Sequence, residues 1–175
     1  DAVIHTFFID NVQIWKFFFE PKPTIPIGII SFFYPKPIIP IEIINEFKTN
    51  LTFEEYKRAA FASEENQRTL KAVDYLKNGD VVQLGNLLYS SHEGLRDLYE
   101  VSCKELDFLV DFTRNISSVK GARMMGGGFG GCTLNIVKED YVDLFINDIS
   151  QAYLEKFNIK LTPHIVKTNN GVKVL

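Results

Sequence analysis

From residue 126 to 131 the chain reads Gly-Gly-Gly-Phe-Gly-Gly, so five of six consecutive positions carry no side chain. Such a run loses too much backbone entropy to sit inside a helix or strand. It permits positive φ instead, which lets successive N–H groups converge on an anion or on another loop. Its flanks, Ser118 to Met124 and Cys132 to Val137, read as strands, the second being largely β-branched or apolar. The run is therefore a loop between two strands. Phosphate is the natural ligand, and a plain flexible or tightly bent connection is the alternative that glycine content alone leaves equally open. Gly126, Gly128 and Gly131 also spell GxGxxG. That fingerprint needs a helix opening at its last glycine, and a Walker loop needs Gly-Lys-Ser/Thr; this run has neither.

Helix signals surround the loop. Thr52 and Glu55 form a capping box opening a helix that runs to Asn78, with Gly79 as its stop. Asp80, with Gln83 three residues on, caps a second helix whose Val81, Leu84, Leu87, Leu88, Leu95 and Tyr99 share one buried face. Ser102 and Glu105 predict a third capping box, with Leu106, Leu109 and Val110 facing inward. A further helix is expected from about Glu139 to Phe157. Strands follow at Ile159–Lys167 and Val172–Leu175, joined through Asn169-Asn170-Gly171 as a hairpin. The fold class is α+β, with helices packed on a small, mostly antiparallel sheet.

The first 47 residues are different in kind. Pro21 to Pro40 holds six of the seven prolines, and residues 1–47 hold eight of the 15 phenylalanines. Residues 21–30 recur as 35–44 with eight of ten positions identical. Proline fixes φ and removes a donor, so each copy is expected to be strand-like or polyproline-like and not helical. Residues 1–47 are thus set apart from a domain at 48–175. Three readings apply to them: a strand pair covering a core, a sticky interaction arm, or translated non-coding sequence, the last being preferred for its tandem duplication and composition.

The whole-chain numbers bound the function. With 22 acidic against 19 basic residues the formal charge is −3, which gives no summed field to attract nucleic acid or anionic lipid. No apolar run approaches the roughly 18 residues that span a bilayer, and the start lacks a basic n-region. Cys103 and Cys132 sit in no metal-ligand or CxxC spacing. These points predict a cytoplasmic protein with two free thiols and neither nucleic-acid nor membrane partners.

Arg123-Met124-Met125-Gly126-Gly127-Gly128-Phe129-Gly130-Gly131-Cys132 closely resembles the third conserved motif of galactokinases, in the GHMP kinase superfamily. The likeness extends upstream through the segment Ser91 to Asp107 and to Glu64-Glu65-Asn66-Gln67-Arg68-Thr69. Downstream it reaches Gly171 to Leu175. It covers about residues 52 to 175, the family's C-terminal domain. Met125 stands where the family usually has threonine, and Leu98 where many members have a second aspartate.

The resemblance implies ATP-dependent phosphorylation of galactose, or a related sugar, at the anomeric hydroxyl, with Mg as the ATP counter-ion. It also makes Gly126, Gly127, Gly128, Phe129, Gly130 and Gly131 supporting residues of the ATP site. The family's Gly-Glu-His segment and its Ser-rich phosphate loop do not occur here. No residue is therefore assigned a catalytic or metal-ligating role, and the isolated chain is expected to be inactive. The alternative function is a non-catalytic remnant or interaction module that docks a partner through the Pro/Ile repeat.

Other candidates read as structural. Ser91 and His92 could be a nucleophile and base, but adjacent helical residues point about 100° apart, and a helix-surface or inter-element hydrogen bond is the better reading. Arg96, Asp97 and Glu100 could face a substrate cleft and are read first as a solvated charge cluster. Cys132 is expected to be buried in the sheet, not reactive. His5 and His164 receive no role.

Overall fold

The structure is a computed structural model that describes residues 5–10, by their backbone, and residues 39–166. In chain order it comprises β1 (His5–Asp10), α1 (Ile41–Glu46), α2 (Phe53–Lys77), α3 (Val81–Asp97), α4 (Lys104–Thr113), β2 (Val119–Met125), β3 (Cys132–Val137), α5 (Val142–Phe157) and β4 (Thr162–Val166). The four strands form one sheet in the order β2-β3-β1-β4. β2 and β3 make the antiparallel hairpin that the glycine-rich loop closes, with Met125 opposite Cys132. The two parallel pairings are both made by β1, with β3 on one side and β4 on the other. The fold is α+β, as the alternation of capped helices and β-branched runs implies.

Two helix starts follow their caps. The Thr52 hydroxyl accepts the Glu55 amide while the Glu55 carboxylate accepts the Thr52 amide at 2.9 Å, so α2 opens on a complete capping box. Asp80 accepts the Gln83 amide at 3.0 Å and opens α3.

The main core lies where α4 and α5 meet the sheet. Leu106 and Leu109 of α4 pack with Phe145, Ile149 and Tyr153 of α5 and with Val119, Met124 and Val137. Burying each such side chain contributes roughly 2 kcal/mol. Phe108 adds an edge-on contact to Phe157 at 5.4 Å between ring centroids. A second, smaller cluster joins Leu84 of α3 and Ile136 of β3 to Ala72, Tyr75 and Leu76 of α2.

Three expectations are corrected. The tail of the second Pro/Ile copy is helical, since Ile41–Glu46 form α1. Pro40 sits at the N-cap with ψ of 146°, where its missing N–H costs nothing and its ring precedes the first turn instead of interrupting one. Residues 21–30 and 35–38 of the repeat lie outside the described ones. Ser102 and Glu105 form no capping box, because α4 begins one residue later on Cys103, which makes no side-chain cap bond. The Ser102 hydroxyl donates instead to Asp107 Oδ1 at 2.6 Å. Tyr99 is not on the buried face of α3, which ends at Asp97; it is 41% exposed and leans on Phe61 at 5.4 Å. The expected strand at 159–167 is present as the shorter β4, and its hairpin partner at 172–175 lies outside the described residues.

α1 packs against α2. The Tyr56 hydroxyl donates to Asn45 Oδ1 at 2.8 Å, the Ser63 hydroxyl donates to the Ile39 carbonyl at 2.7 Å, and Ile44 is buried. α3 crosses β2 at a pair of glycines. A Cβ on Gly85 would overlap the Lys120 carbonyl, and one on Gly121 would overlap the Gly85 backbone. Helix and strand therefore touch backbone to backbone, and this crossing fixes where His92 and the end of β2 stand relative to each other.

Candidate functional site

The loop between β2 and β3 is held at its tip and at its entry. At the tip, the Phe129 N–H donates to the Val101 carbonyl at 2.7 Å, and Gly128, at φ +85°, lies so close that a Cβ there would overlap the same carbonyl. Val101 belongs to the turn after α3, where Glu100 adopts a φ of 59°, a costly conformation for a residue with a side chain. Two cations anchor it there, Lys57 Nζ at 2.9 Å and Arg58 at 3.8 Å from the Glu100 carboxylate. Between these supports Gly126, Gly127 and Gly130 face open space. Phe129 projects its ring into solvent, 77% exposed.

At the entry, Met124 lies near the end of β2, which is at the edge of the sheet among the described strands. Its N–H donates to Nδ1 of His92 at 3.2 Å. His92 is fully buried on α3, and its Nε2 stands 3.3 Å from Asp107 Oδ1, near enough for attraction but not aligned as a hydrogen bond. Burial pushes the imidazole below its ordinary 6.5; Asp107 and Asp111 oppose this, and Arg96 and Arg114 reinforce it.

A polar network ties the same strand end to α2. The Glu65 carboxylate accepts from Arg68 Nε at 2.7 Å, from Arg123 Nη1 at 3.1 Å and from the Ser91 hydroxyl. Arg123 also donates through Nε to the Met124 carbonyl at 2.9 Å. Ser91 and His92 thus serve two separate inter-element contacts, as the rotation between adjacent helical residues requires, and neither is aimed at the other. Arg68 leaves Nη2 buried without a partner, beside Gly94. A cleft of about 350 Å³ opens there between α2 and α3, rimmed by Glu64, Glu93 and Asp97.

Each of those carboxylates already has an arginine: Arg68 for Glu64 at 3.4 Å, Arg114 for Glu93 at 2.9 Å and Arg96 for Asp97 at 2.7 Å. The cleft carries little unbalanced charge. Arg96 and Asp97 pair side by side while Glu100 turns to Lys57, so the structure splits the expected trio. Cys132 is partly buried, with its thiol pushed up by burial, which suits a packing role. Among the described residues no group of three His, Cys, Asp or Glu side chains could hold a metal ion, and no helix is long and apolar enough to cross a membrane.

This loop, strand-flanked and buttressed from the turn after α3, lies within residues 72–155, which match the family described as GHMP kinases C terminal. Over 117 residues the chain is 49% identical to a galactokinase of Thermotoga neapolitana and 50% identical to one of Clostridium acetobutylicum. These matches cover 67% of this chain but 33% and 30% of those proteins. It carries a GHMP kinase C-terminal domain of the galactokinase type. The fold agrees: the crystal structure of Lactococcus lactis galactokinase complexed with galactose superposes with a TM-score of 0.67 at 28% identity, covering 79% of this chain and 41% of that one. The GHMP kinase domain here thus spans about a third of the length of the curated relatives it matches.

Within this GHMP kinase domain, glycine content hid which glycines are required. Gly127 has an ordinary backbone and open space around it, whereas Gly128 combines positive φ with the Val101 contact. Gly127→Ala is expected to leave the amide spectrum of the domain unchanged beyond its neighbours. Gly128→Ala should displace the loop tip, shifting the Val101 and Phe129 amides and costing about 1–3 kcal/mol in denaturant unfolding. Equal, small effects from the two would show that the tip is not docked on Val101. His92 and Glu65 were the residues that sequence reasoning undervalued; each sits within the quoted family segments, but their bonding partners are 32 and 58 residues away.

Proposed function

We propose that this chain supplies the C-terminal part of an ATP-dependent sugar kinase that phosphorylates galactose at its anomeric hydroxyl, with Gly126–Gly131 backing the phosphates of Mg-ATP. The observation that carries the reading is the position of the loop. It lies inside the matched family region, is clamped from below by Val101 and His92, and is open above at Gly126, Gly127 and Gly130.

The residues suit a phosphate. The flanking glycines let backbone approach an anion without steric bulk, and such N–H-lined concavities favour negative charge. The Phe129 N–H is already committed to Val101, so its part would be played by the exposed ring, not by the backbone. Mg, bound with ATP, would neutralise phosphate charge; the residues described here would approach the phosphates and not the ion.

Phosphoryl transfer depends on positioning both reactants, and the chain spans a third of its relatives. We therefore propose that it does not turn over alone. With galactose and Mg-ATP the purified chain should form no galactose 1-phosphate above background, while Mg-ADP should shift amide resonances of residues 126–131. Clear turnover would overturn the incompleteness; silence of the loop amides at millimolar nucleotide would overturn the phosphate role and favour a non-catalytic module. Two free cysteines, Cys103 and Cys132, lead us to place the protein in the cytoplasm.

A further inference from the structure

We infer that His92 is a positioning residue for the glycine-rich loop: its neutral imidazole accepts the Met124 amide and thereby fixes the strand end from which the loop departs. The functional weight of this rests on the loop being the nucleotide site proposed above; the geometry does not.

The case begins with where the bond lies. Among the described strands β2 lies at the edge of the sheet, and an edge N–H needs an acceptor from elsewhere or stays unsatisfied. Water cannot serve Met124, whose side chain is fully buried in the main core and whose N–H meets an equally buried ring. His92 provides the acceptor at 3.2 Å, two residues before Gly126. An acceptor at Nδ1 must be unprotonated, so the proton of the neutral ring sits on Nε2, the nitrogen turned toward Asp107 at 3.3 Å. Asp107 is held in turn by the Ser102 hydroxyl at 2.6 Å, one residue after Val101, which grips the tip of the same loop. The two supports of the loop are thus joined through one carboxylate.

Protonation would put an N–H on Nδ1 facing the Met124 N–H, two donors with no acceptor between them. The charged groups around the ring are Asp107 and Asp111 from α4, Arg114 at its end, and Arg96 from α3 itself. The two carboxylates favour the charged ring and the two arginines oppose it, while burial, the largest influence, favours the neutral ring. A group whose folded pKa is depressed contributes its stabilisation fully above the unfolded value of 6.5 and loses it as pH falls through the lower folded value. The clasp is accordingly closed at neutral pH and opens only in acid.

The experiment uses the full chain labelled with ¹⁵N. At neutral pH the His92 ring nitrogens should report the Nε2–H tautomer, and the Met124 amide should be protected from exchange. His92→Leu should raise Met124 exchange about tenfold or more and move the Gly126 and Gly127 amides. His92→Asn keeps an acceptor oxygen near the position of Nδ1; it should restore most of the protection and make it independent of pH between 7 and 5. In the unsubstituted chain, protection should fall together with ring protonation below 6.5. If His92→Leu does not fold, that pH series and the asparagine variant decide the matter. A Met124 amide as protected in His92→Leu as in the parent, or a ring that titrates without any change at Met124, would overturn the inference. Loop amides that respond to His92→Leu but not to Mg-ADP would leave the clasp standing and remove only the nucleotide reading.

Discussion

Gly85→Ala is expected to destabilise the chain by about 3 kcal/mol, lowering the melting temperature on the order of 10 °C. The sign is not obvious from helix chemistry. At a free helical position alanine is better than glycine by about 1 kcal/mol, because it has less backbone entropy to lose. What reverses the sign is the crossing of α3 over β2. The new Cβ would overlap the carbonyl of Lys120 and approach the Gly121 amide at 3.1 Å, and neither is the tip of a flexible side chain that could move aside.

Relief requires α3 to rise off the strand. That would loosen Leu84 from Ile136 and draw His92 away from Met124. Gly121→Ala meets the same obstacle from the other side, since its Cβ would overlap Gly85. The double variant should therefore cost clearly less than the sum of the singles, one displacement serving both. Thermal unfolding of the three variants tests this. A Gly85→Ala chain as stable as the parent, or single effects that simply add, would show that helix and strand do not touch there.

The same crossing marks what could and could not be read along the chain. Features that depend on neighbours within four residues were legible: the Thr52–Glu55 box, the Asp80 cap and the apolar stripe of α4 are all as the spacing implies. The Ser102–Glu105 pattern failed because α4 begins on Cys103, which leaves Ser102 one residue outside the cap with its hydroxyl donating to the Asp107 carboxylate. The helix after Pro40 was missed because proline was taken to govern both its flanks, although it restrains only itself and its predecessor. At the site, the glycine run announced a loop and the quoted motif its family. The contacts that shape the loop join residues 28 to 58 positions apart, Val101 with Phe129, His92 with Met124 and Glu65 with Arg123, and no periodicity encodes them.

Glu65→Ala is expected to be the most damaging polar substitution near the site, costing about 2 kcal/mol. The carboxylate serves three donors on three elements: Arg68 of α2, Ser91 of α3 and Arg123 of β2. Removing it leaves Arg123 with only the Met124 carbonyl and Arg68 with only Glu64 at 3.4 Å. The figure is kept below that of a fully buried pair because Glu65 retains 25% and Arg123 29% exposure, so solvent screens part of the loss.

Glu65→Gln should cost less, since its amide oxygen can still accept from Ser91 or one arginine. Arg123→Ala should cost less again, because Arg68 and Ser91 continue to satisfy the carboxylate. A double-mutant cycle on Glu65 and Arg123 in urea should return a coupling of about 1 kcal/mol. A coupling near zero would mean the contact at 3.1 Å carries no stability and that β2 is held against α2 by its backbone alone. With the coupling present, the strand that enters the glycine-rich loop is fixed on one side by a charge network and on the other by a neutral histidine. The two respond differently to conditions: added salt should weaken the Glu65 arm and leave His92 unaffected, whereas acid that protonates His92 should release the bond to Met124.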